Sequence, residues 1–315
     1  MPTRSIQPQN RPERTFRTAH GDLIFGRRCL VMGVLNVTPD SFSDGGRYRD
    51  REAAVRAAQR MAAAGADVID VGGESTRPGA RGVPVAAQIE RVVPVIQALR
   101  AGGCGVPVSI DTRSARVADA ALAVGADIVN DVSGARHDSD MPRLLADRGV
   151  PFVVMHMRGT PETMQADPHY EDVVAEVGAF FEQRAEALEA MGVEVDARMI
   201  VDPGIGFGKR LEHNLALLRA AASFGERWPV LVGASRKRFL GELLDEPVAK
   251  RRVMGTAAAV AHAALTGVDM VRVHDVRPMR QVVDVCERIA FDRAADGPAG
   301  LRPRPETGPP VSRRC

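Results

Sequence analysis

Eight short apolar runs, separated by longer segments rich in alanine and leucine, constrain the fold of this 315-residue chain more than any other feature. The runs are nearly continuous in apolar residues rather than alternating, which is typical of strands buried on both faces of a parallel sheet. The intervening segments have helical spacing; one example is Ser114 to Gly125, where Ser114 is a candidate N-cap and Gly125 a stop. We predict strands at Cys29–Asn36, Asp67–Gly73, Pro107–Thr112, Asp127–Val132, Pro151–Met157, Met199–Gly204, Pro229–Ser235 and Met270–Asp275.

Almost every run ends in a residue with chemical capability. These residues are Asn36, Glu74, Asp111, Asn130, His156, Asp202, Ser235 and His274. An open, doubly wound sheet is the alternative arrangement for eight parallel strands, but it concentrates its ligand chemistry near one switch point. In a closed barrel all eight carboxyl ends meet at one face. We therefore predict a single (β/α)8 TIM barrel with its site at that face.

The folded unit is predicted to span residues 21–293, between a polar tail at 1–20 and a Pro/Gly/Arg-rich tail at 294–315. A barrel of this kind occupies some 250 residues as one domain. The hydrophobic fraction of 45% and the charged fraction of 26% are those of an ordinary globular protein. A net charge of +2 gives no long-range field that would favour nucleic acid or a membrane surface, and no apolar run reaches the ~20 residues of a spanning helix.

The four cysteines are far apart and form no C-x-x-C pair, so neither a zinc site nor a disulfide framework is indicated. No secretory signal is visible in the first 28 residues. We therefore expect a cytoplasmic protein that binds neither nucleic acid nor membrane.

The first two strand-to-helix connections have the composition of substrate-binding loops. Residues 36–46 read NVTPDSFSDGG and could close over a ligand, although a loop whose polar side chains only cap local backbone is an equal alternative. Residues 72–79 read GGESTRPG, in which the glycines allow close approach of a ligand and Arg77 offers a planar fork for an anion. A surface turn with a solvated arginine remains possible there.

Residues 202–209, DPGIGFGK, do not form a Walker A loop, because Pro203 stands where the first glycine should be. Farther on, Ser235-Arg236-Lys237 and Arg272-Val273-His274 bring cations to two strand ends, which favours an anion site over a surface charge run. We expect a deep set, Asp111, Asn130, Asp202 and Lys237, which matches the donor-rich edge and the carbonyl of a 2-amino-4-oxopyrimidine. The expected rim set, which suits a diphosphate, is Asn36, Arg77, Arg272 and His274.

The segments NVTPDSFSDGG, GGESTRPGA, SIDT, VNDVSG, DPGIGFGK, GASRKRFLG and VRVHD stand in the order and spacing of one known family. Across about residues 30–290 the chain resembles dihydropteroate synthase, which joins a dihydropterin diphosphate to p-aminobenzoate in folate synthesis. The resemblance implies a homodimer with small-molecule substrates, Mg²⁺ as cofactor near Asn36, and sensitivity to sulfonamides.

The resemblance also implies roles for individual residues. The pterin site would comprise Asp111, Asn130, Met155, Asp202, Phe207 and Lys237. The diphosphate site would comprise Asn36, Thr76, Arg77, Arg272 and His274. The p-aminobenzoate pocket would comprise Phe42, Thr76, Pro78, Phe207 and Ser235. The residues implied in catalysis are Asp111, Lys237, Arg77, Arg272 and His274. Ser235 is interpreted as a positioning residue, because no G-x-S-x-G elbow surrounds it.

Two rival functions remain open. A pterin-dependent methyltransferase would share the inward acids but would not need the anion-binding segments that contain Arg77, Lys237 and Arg272. A non-catalytic paralogue could bind pterin on the same scaffold, although the intact polar motifs speak against it.

Overall fold

The computed structural model describes residues 12–38, 46–74, 82–160 and 163–290. Eight parallel strands form one sheet with strand order β8-β7-β6-β5-β4-β3-β10-β9. These strands are β3 (Leu30–Asn36), β4 (Val68–Gly72), β5 (Val108–Asp111), β6 (Ile128–Asp131), β7 (Phe152–Met155), β8 (Met199–Asp202), β9 (Leu231–Val232) and β10 (Met270–Val273).

A parallel bridge between Val201 and Val230 joins the two ends of this sheet, and the Val201 N–H donates to the Pro229 carbonyl at 2.9 Å. The sheet is therefore a barrel, and each of the eight predicted strands is present in it. The open, doubly wound alternative is wrong, because neighbouring strands follow the chain order around the ring.

Helices surround the barrel and cover its outer face. They are α1 (Gly46–Ala63), α2 (Val85–Ala101), α3 (Ala115–Ala123), α4 (Met141–Arg148), α5 (Val173–Glu189), α6 (Val195–Arg198), α7 (Leu211–Ala220), α8 (Arg238–Leu244), α9 (Val253–Thr266) and α10 (Val276–Ala290). None of the helices in the described ranges is both long enough and apolar enough to cross a membrane.

The predicted cap of α3 is replaced by a residue from another loop. The Ser114 side chain makes no capping hydrogen bond. Instead, Asp138 Oδ2 accepts from the Ala115 N–H at 2.8 Å, while Thr112 Oγ1 accepts from the Ser114 N–H. A carboxylate stabilises a helix N-terminus better than a hydroxyl, because it carries a full negative charge.

An antiparallel hairpin of β1 (Arg14–Phe16) and β2 (Leu23–Phe25) precedes the barrel. Its apolar side chains are buried against an inner layer at the amino-terminal ends of the barrel strands. That cluster comprises Phe16, Leu23, Phe25, Leu30, Met32, Val68, Ile128, Val153, Ile200, Leu231 and Met270. The hairpin therefore closes the amino-terminal end, and the opposite end is left for a ligand.

The predicted N-terminal boundary needs correction for this reason. Residues 1–20 were assigned to a polar tail, but β1 lies within that range and Phe16 is only 3% exposed. The strand is short and its neighbours are polar, so its burial depends on the barrel and not on local pattern. Residues 291–315 lie outside the described part of the chain, so the boundary at 293 stays a prediction.

Candidate active site

Strand register places two of the predicted site residues side by side. Asn36 pairs with Gly72, Gly72 with Asp111, and Asp111 with Asn130 across four adjacent strands, β3 to β6. Because parallel strands in register point equivalent side chains the same way, these positions form one layer at the barrel mouth. Gly72 leaves a gap in that layer: a Cβ there would lie 3.7 Å from Asp111 Oδ2 and 3.8 Å from Asn36 Oδ1.

Below this layer, Arg272 connects two buried carboxylates. Its Nε donates to Asp70 Oδ2 at 2.7 Å and its Nη2 donates to Asp111 Oδ2 at 2.6 Å. The Asn130 amide also donates to Asp70 Oδ2, at 3.1 Å. Arg272 was expected at the rim, but its guanidinium lies inside the barrel, since two fixed carboxylates attract it there.

Asp70 was missed by the sequence analysis. Its side chain is completely buried in β4. A charged residue in the middle of the apolar strand VIDVG was the available signal, because a carboxylate is placed there only with a partner. Asp70 lies two positions before the end of β4, so the pattern of polar residues at strand ends does not identify it.

Burial dominates the electrostatics of Asp111. Desolvation raises its pKa to about 7, against the opposing effect of Arg272 and with support from the nearby Asp70. Its Oδ1 atom is buried and, within the described residues, has no hydrogen-bond partner. An acceptor without a donor in this position is available to a ligand.

Asp202 and Lys237 meet on the other side of the barrel mouth. A Cβ on Gly233 would lie within 4.0 Å of Lys237 Nζ, Arg272 Cβ and Asp202 Oδ2, so these groups surround one small space. Burial raises the pKa of Asp202, and burial lowers the pKa of Lys237 to about 8. The Lys237 ammonium also donates to the Ile205 carbonyl.

An apolar wall lies beside these charges. It is a small cluster, separate from the main core, made of Val132, Met155, Met157, Met164 and the partly buried Phe207. Met155 pairs in register with Asp202, and Lys237 Nζ lies 4.5 Å from the centre of the Phe207 ring. A flat heterocycle bound here would contact charged side chains at its edge and apolar side chains at its face.

The ends of β9 and β10 are joined by side chains. The His274 N–H donates to Ser235 Oγ at 3.2 Å, and His274 Nδ1 lies 3.0 Å from the same oxygen. Arg236 has a left-handed φ of 59° and forms a two-pronged ion pair with Asp275, at 2.9 and 2.5 Å. These contacts hold the segments on either side of Lys237 and His274.

The structure thus brings together Asn36, Asp111, Asn130, Met155, Asp202, Phe207, Ser235, Lys237, Arg272 and His274 at the carboxyl end of the barrel. The predicted site residues Phe42, Thr76, Arg77 and Pro78 lie outside the described residues. In the part of the chain that is described, no group of three or more His, Cys, Asp or Glu side chains could hold a metal ion.

Comparison with known proteins gives one consistent result. A family model described as pterin binding enzyme matches residues 32–274. Dihydropteroate synthase of Synechocystis is 45% identical over 266 residues, covering 84% of this chain and 91% of the relative.

Solved structures agree with the sequence relatives. Xanthomonas albilineans dihydropteroate synthase with 4-aminobenzoic acid superposes with a TM-score of 0.82 at 42% identity, covering 90% of this chain and all of that one. The Burkholderia cenocepacia enzyme complexed with 7,8-dihydropteroate has a TM-score of 0.78 at 40% identity, covering 88% of this chain and 96% of that one. With the barrel and the buried acids of its mouth, this chain belongs to the dihydropteroate synthase family of pterin-binding enzymes.

Proposed function

We propose that this chain joins 6-hydroxymethyl-7,8-dihydropterin diphosphate to p-aminobenzoate, which gives 7,8-dihydropteroate and diphosphate in folate synthesis. One observation carries the proposal: two buried acids and an amide from three strand ends, with a lysine from the loop after β9, converge in a barrel that is closed at its amino-terminal end. The chain covers 91% of the Synechocystis relative and all of the Xanthomonas albilineans one.

In this proposal the pterin ring binds edge-on to the charged groups. The carboxylates of Asp111 and Asp202 accept hydrogen bonds from the amino and ring N–H groups, and the unpartnered Oδ1 of Asp111 is one such acceptor. Asn130 and Lys237 supply donors for the ring nitrogen and carbonyl acceptors. Since the lysine pKa is lowered to only about 8, the side chain is still mostly charged at neutral pH.

The reaction exchanges one bond at the exocyclic methylene carbon. The C–O bond to diphosphate breaks and its electron pair leaves with the diphosphate, while the lone pair of the arylamine nitrogen forms the new C–N bond. The amine then releases one proton. Positive charge that develops on the pterin is stabilised by the nearby carboxylates of Asp70, Asp111 and Asp202 in a site with little water. No covalent bond to the protein is required.

Mg²⁺ is proposed as the cofactor and Asn36 as its protein ligand. The fit rests on Asn36 Oδ1, an amide oxygen beside the gap at Gly72 and of the type that Mg²⁺ prefers, because Asp111 Oδ2 already accepts from Arg272. Since a Mg²⁺ ion keeps several waters and phosphate oxygens as ligands, one or two protein oxygens suffice. When bound, it would supply positive charge to the departing diphosphate.

The remaining substrate contacts are proposed from the family resemblance. Thr76, Arg77, Arg272 and His274 would bind diphosphate; Nη1 of Arg272 is not used by Asp70 or Asp111 in the hydrogen bonds given above. Phe42, Thr76 and Pro78 would close over p-aminobenzoate, with Phe207 and Ser235 beneath them.

The test mixes purified protein with dihydropterin diphosphate, p-aminobenzoate and Mg²⁺, and measures dihydropteroate and diphosphate. Equal amounts of both products are expected. Pterin binding without turnover would indicate the non-catalytic paralogue instead. Methyl transfer from a methylated pterin, without the condensation, would indicate the methyltransferase.

A homodimer is proposed through the outer face of α8 to α10. Large apolar side chains are exposed on this face, notably Met254 at 78% and Ile289 at 76%. Contiguous exposed apolar surface on a folded protein commonly marks a protein interface. Light scattering after size exclusion should give twice the mass of 33.8 kDa, and Met254→Asp should shift the mass toward one chain.

A cytoplasmic location is also proposed. Cys29, Cys104 and Cys286 form no disulfide with one another in the described structure, which suits a reducing compartment. Cell fractionation that found the protein outside the cytoplasm would contradict this.

A further inference from the structure

The loops that follow β7 and β8 are packed backbone against backbone. Gly204 has a φ of +67°, and a Cβ at that position would lie 1.9 Å from the His156 carbonyl oxygen. Gly208 has a φ of +63°, and a Cβ there would lie 2.5 Å from the Arg158 carbonyl oxygen. Both positions require glycine for conformation and for space. The backbones of the two loops therefore lie in direct contact, and a group that bridges them can hold them there.

Lys209 is that group. Its side chain is buried, and its Nζ contacts His156 Nδ1 at 3.0 Å, the His156 carbonyl at 3.3 Å and the Phe207 carbonyl at 3.0 Å. An ammonium has three N–H donors, and these three atoms are acceptors when His156 carries its proton on Nε2. In the ammonium form all donors are thus used within the protein, which leaves none for a substrate; burial lowers the pKa of this side chain well below its ordinary value.

The histidine is suited to this role because it stays neutral. Burial and the adjacent cations Lys209, Arg136 and Arg158 lower the pKa of His156 to about 2. Phe180 and Tyr170 pack against its ring, with ring centres 4.9 and 6.1 Å away. The Nδ1 lone pair is therefore free to accept from Lys209 at any working pH.

The residues on either side of this contact form the apolar wall of the site. Met155 directly precedes His156, and Phe207 is two residues before Lys209; both belong to the small cluster beside Asp202 and Lys237. Other bonds hold the same loop, since the Gln165 amide donates to the Gly206 carbonyl at 2.9 Å and the Tyr170 hydroxyl donates to the Gly208 carbonyl at 2.8 Å.

We propose that Lys209 and His156 are positioning residues which hold Phe207 and Met155 at the face of the pterin ring and so determine the affinity for the pterin substrate without touching it. The proposal rests on the proposed function, because it deepens the account of the pterin site. It predicts an effect on pterin binding that exceeds the effect on p-aminobenzoate or on the bond exchange itself.

Three variants and one control test it. Lys209→Met removes the ammonium and keeps the aliphatic stem. His156→Leu removes the acceptor, whereas His156→Asn keeps an oxygen acceptor near the place of Nδ1. Lys250→Met, at an exposed lysine in a short 3-10 turn far along the chain, is the control. Each is titrated with dihydropterin diphosphate by ligand fluorescence, and KM is measured for both substrates.

Lys209→Met and His156→Leu should weaken pterin binding by about 10-fold or more, as expected for loss of a charge-assisted hydrogen bond that fixes a binding wall. KM for p-aminobenzoate should change by a smaller factor than the pterin affinity, because of the two wall residues only Phe207 also belongs to the proposed p-aminobenzoate pocket. His156→Asn should restore most of the affinity, and Lys250→Met should bind like the unmodified protein.

A folded Lys209→Met that binds pterin normally would overturn the proposal, as would a variant that lost turnover while its pterin affinity was unchanged. If Lys209→Met does not fold, the two His156 variants decide. Equal pterin affinities of His156→Leu and His156→Asn would overturn the proposal, and a higher pterin affinity of His156→Asn would support it. The titration needs no turnover, so failure of the proposed reaction in the unmodified protein is detected separately.

Discussion

Arg272→Met is the substitution whose effect on stability can be worked out most completely. The arginine donates to Asp70 and Asp111, whose side chains are 0% and 5% exposed. Methionine has a similar length but no charge, so the variant leaves two neighbouring carboxylates in the barrel without their shared cation. Removing one partner of a buried ion pair costs about 3–5 kcal/mol. We expect a loss of that size in the free energy of unfolding at pH 8.

The loss should depend on pH. The pKa of Asp111 is about 7 with the lowering effect of Arg272 included, so the pKa in the variant is higher. A carboxyl whose pKa is raised on folding binds a proton more tightly in the folded state, and stability then falls as pH rises toward the folded pKa. In the variant this fall continues above pH 7, by at most ~1.4 kcal/mol per pH unit. At pH 6, where Asp111 is protonated in both proteins, the difference between them should be smaller.

Urea denaturation at pH 6, 7 and 8 measures this difference. Arg219→Met is the matched control, because Arg219 is exposed in the last turn of α7, outside the proposed dimer face, and it should change stability by no more than ~0.5 kcal/mol. A variant at position 272 that lost under ~1 kcal/mol at pH 8, or lost the same amount at pH 6 and 8, would refute the reasoning.

Four further outcomes are expected. Lys237→Ala and Asp202→Ala should each lose most activity while far-UV circular dichroism shows an intact fold. If either variant turned over like the unmodified protein, the role proposed for that residue would be wrong. If an ionised Asp111 binds the pterin as proposed, kcat/KM for the pterin substrate should fall as pH drops below about 7, and Asp111→Asn should abolish that limb of the profile. Phe16→Ala should cost about 3–5 kcal/mol in thermal or urea unfolding, since the ring is buried in the hairpin cluster, yet the activity of the folded fraction should persist. Sulfonamides should inhibit in the concentration range in which p-aminobenzoate binds; inhibition far weaker than that would contradict the prediction.

Much of the fold could be predicted from the sequence because each barrel strand is marked by a short local pattern of residues. Each barrel strand is a short apolar run with a polar residue at its end, and the observed strand bounds lie inside the predicted ones. Closure of the ring was also inferred correctly, from the polar ends that recur on every strand. The hairpin containing Phe16 was missed, because a three-residue strand has no distinctive pattern and its burial is supplied by residues far along the chain.

The site was predicted in part for the same reason. Asp111, Asn130 and Asp202 stand at strand ends and Lys237 follows in the loop after β9, and topology alone makes such side chains converge. The partner of Arg272 could not be known from its position in the chain, because Asp70 is 202 residues away and is brought near it only by the pairing of β3 with both β4 and β10.

By itself, the sequence determined which residues stand at the ends of the barrel strands, because each apolar run marks a strand and the polar residue after it marks where the strand ends. Only the tertiary structure decided which charges meet: Arg272 with Asp70 and Asp111, and Lys209 with His156. Ionic and hydrogen-bond partners depend on distances of a few ångströms between elements distant in the chain, and such distances exist only once the ring has closed.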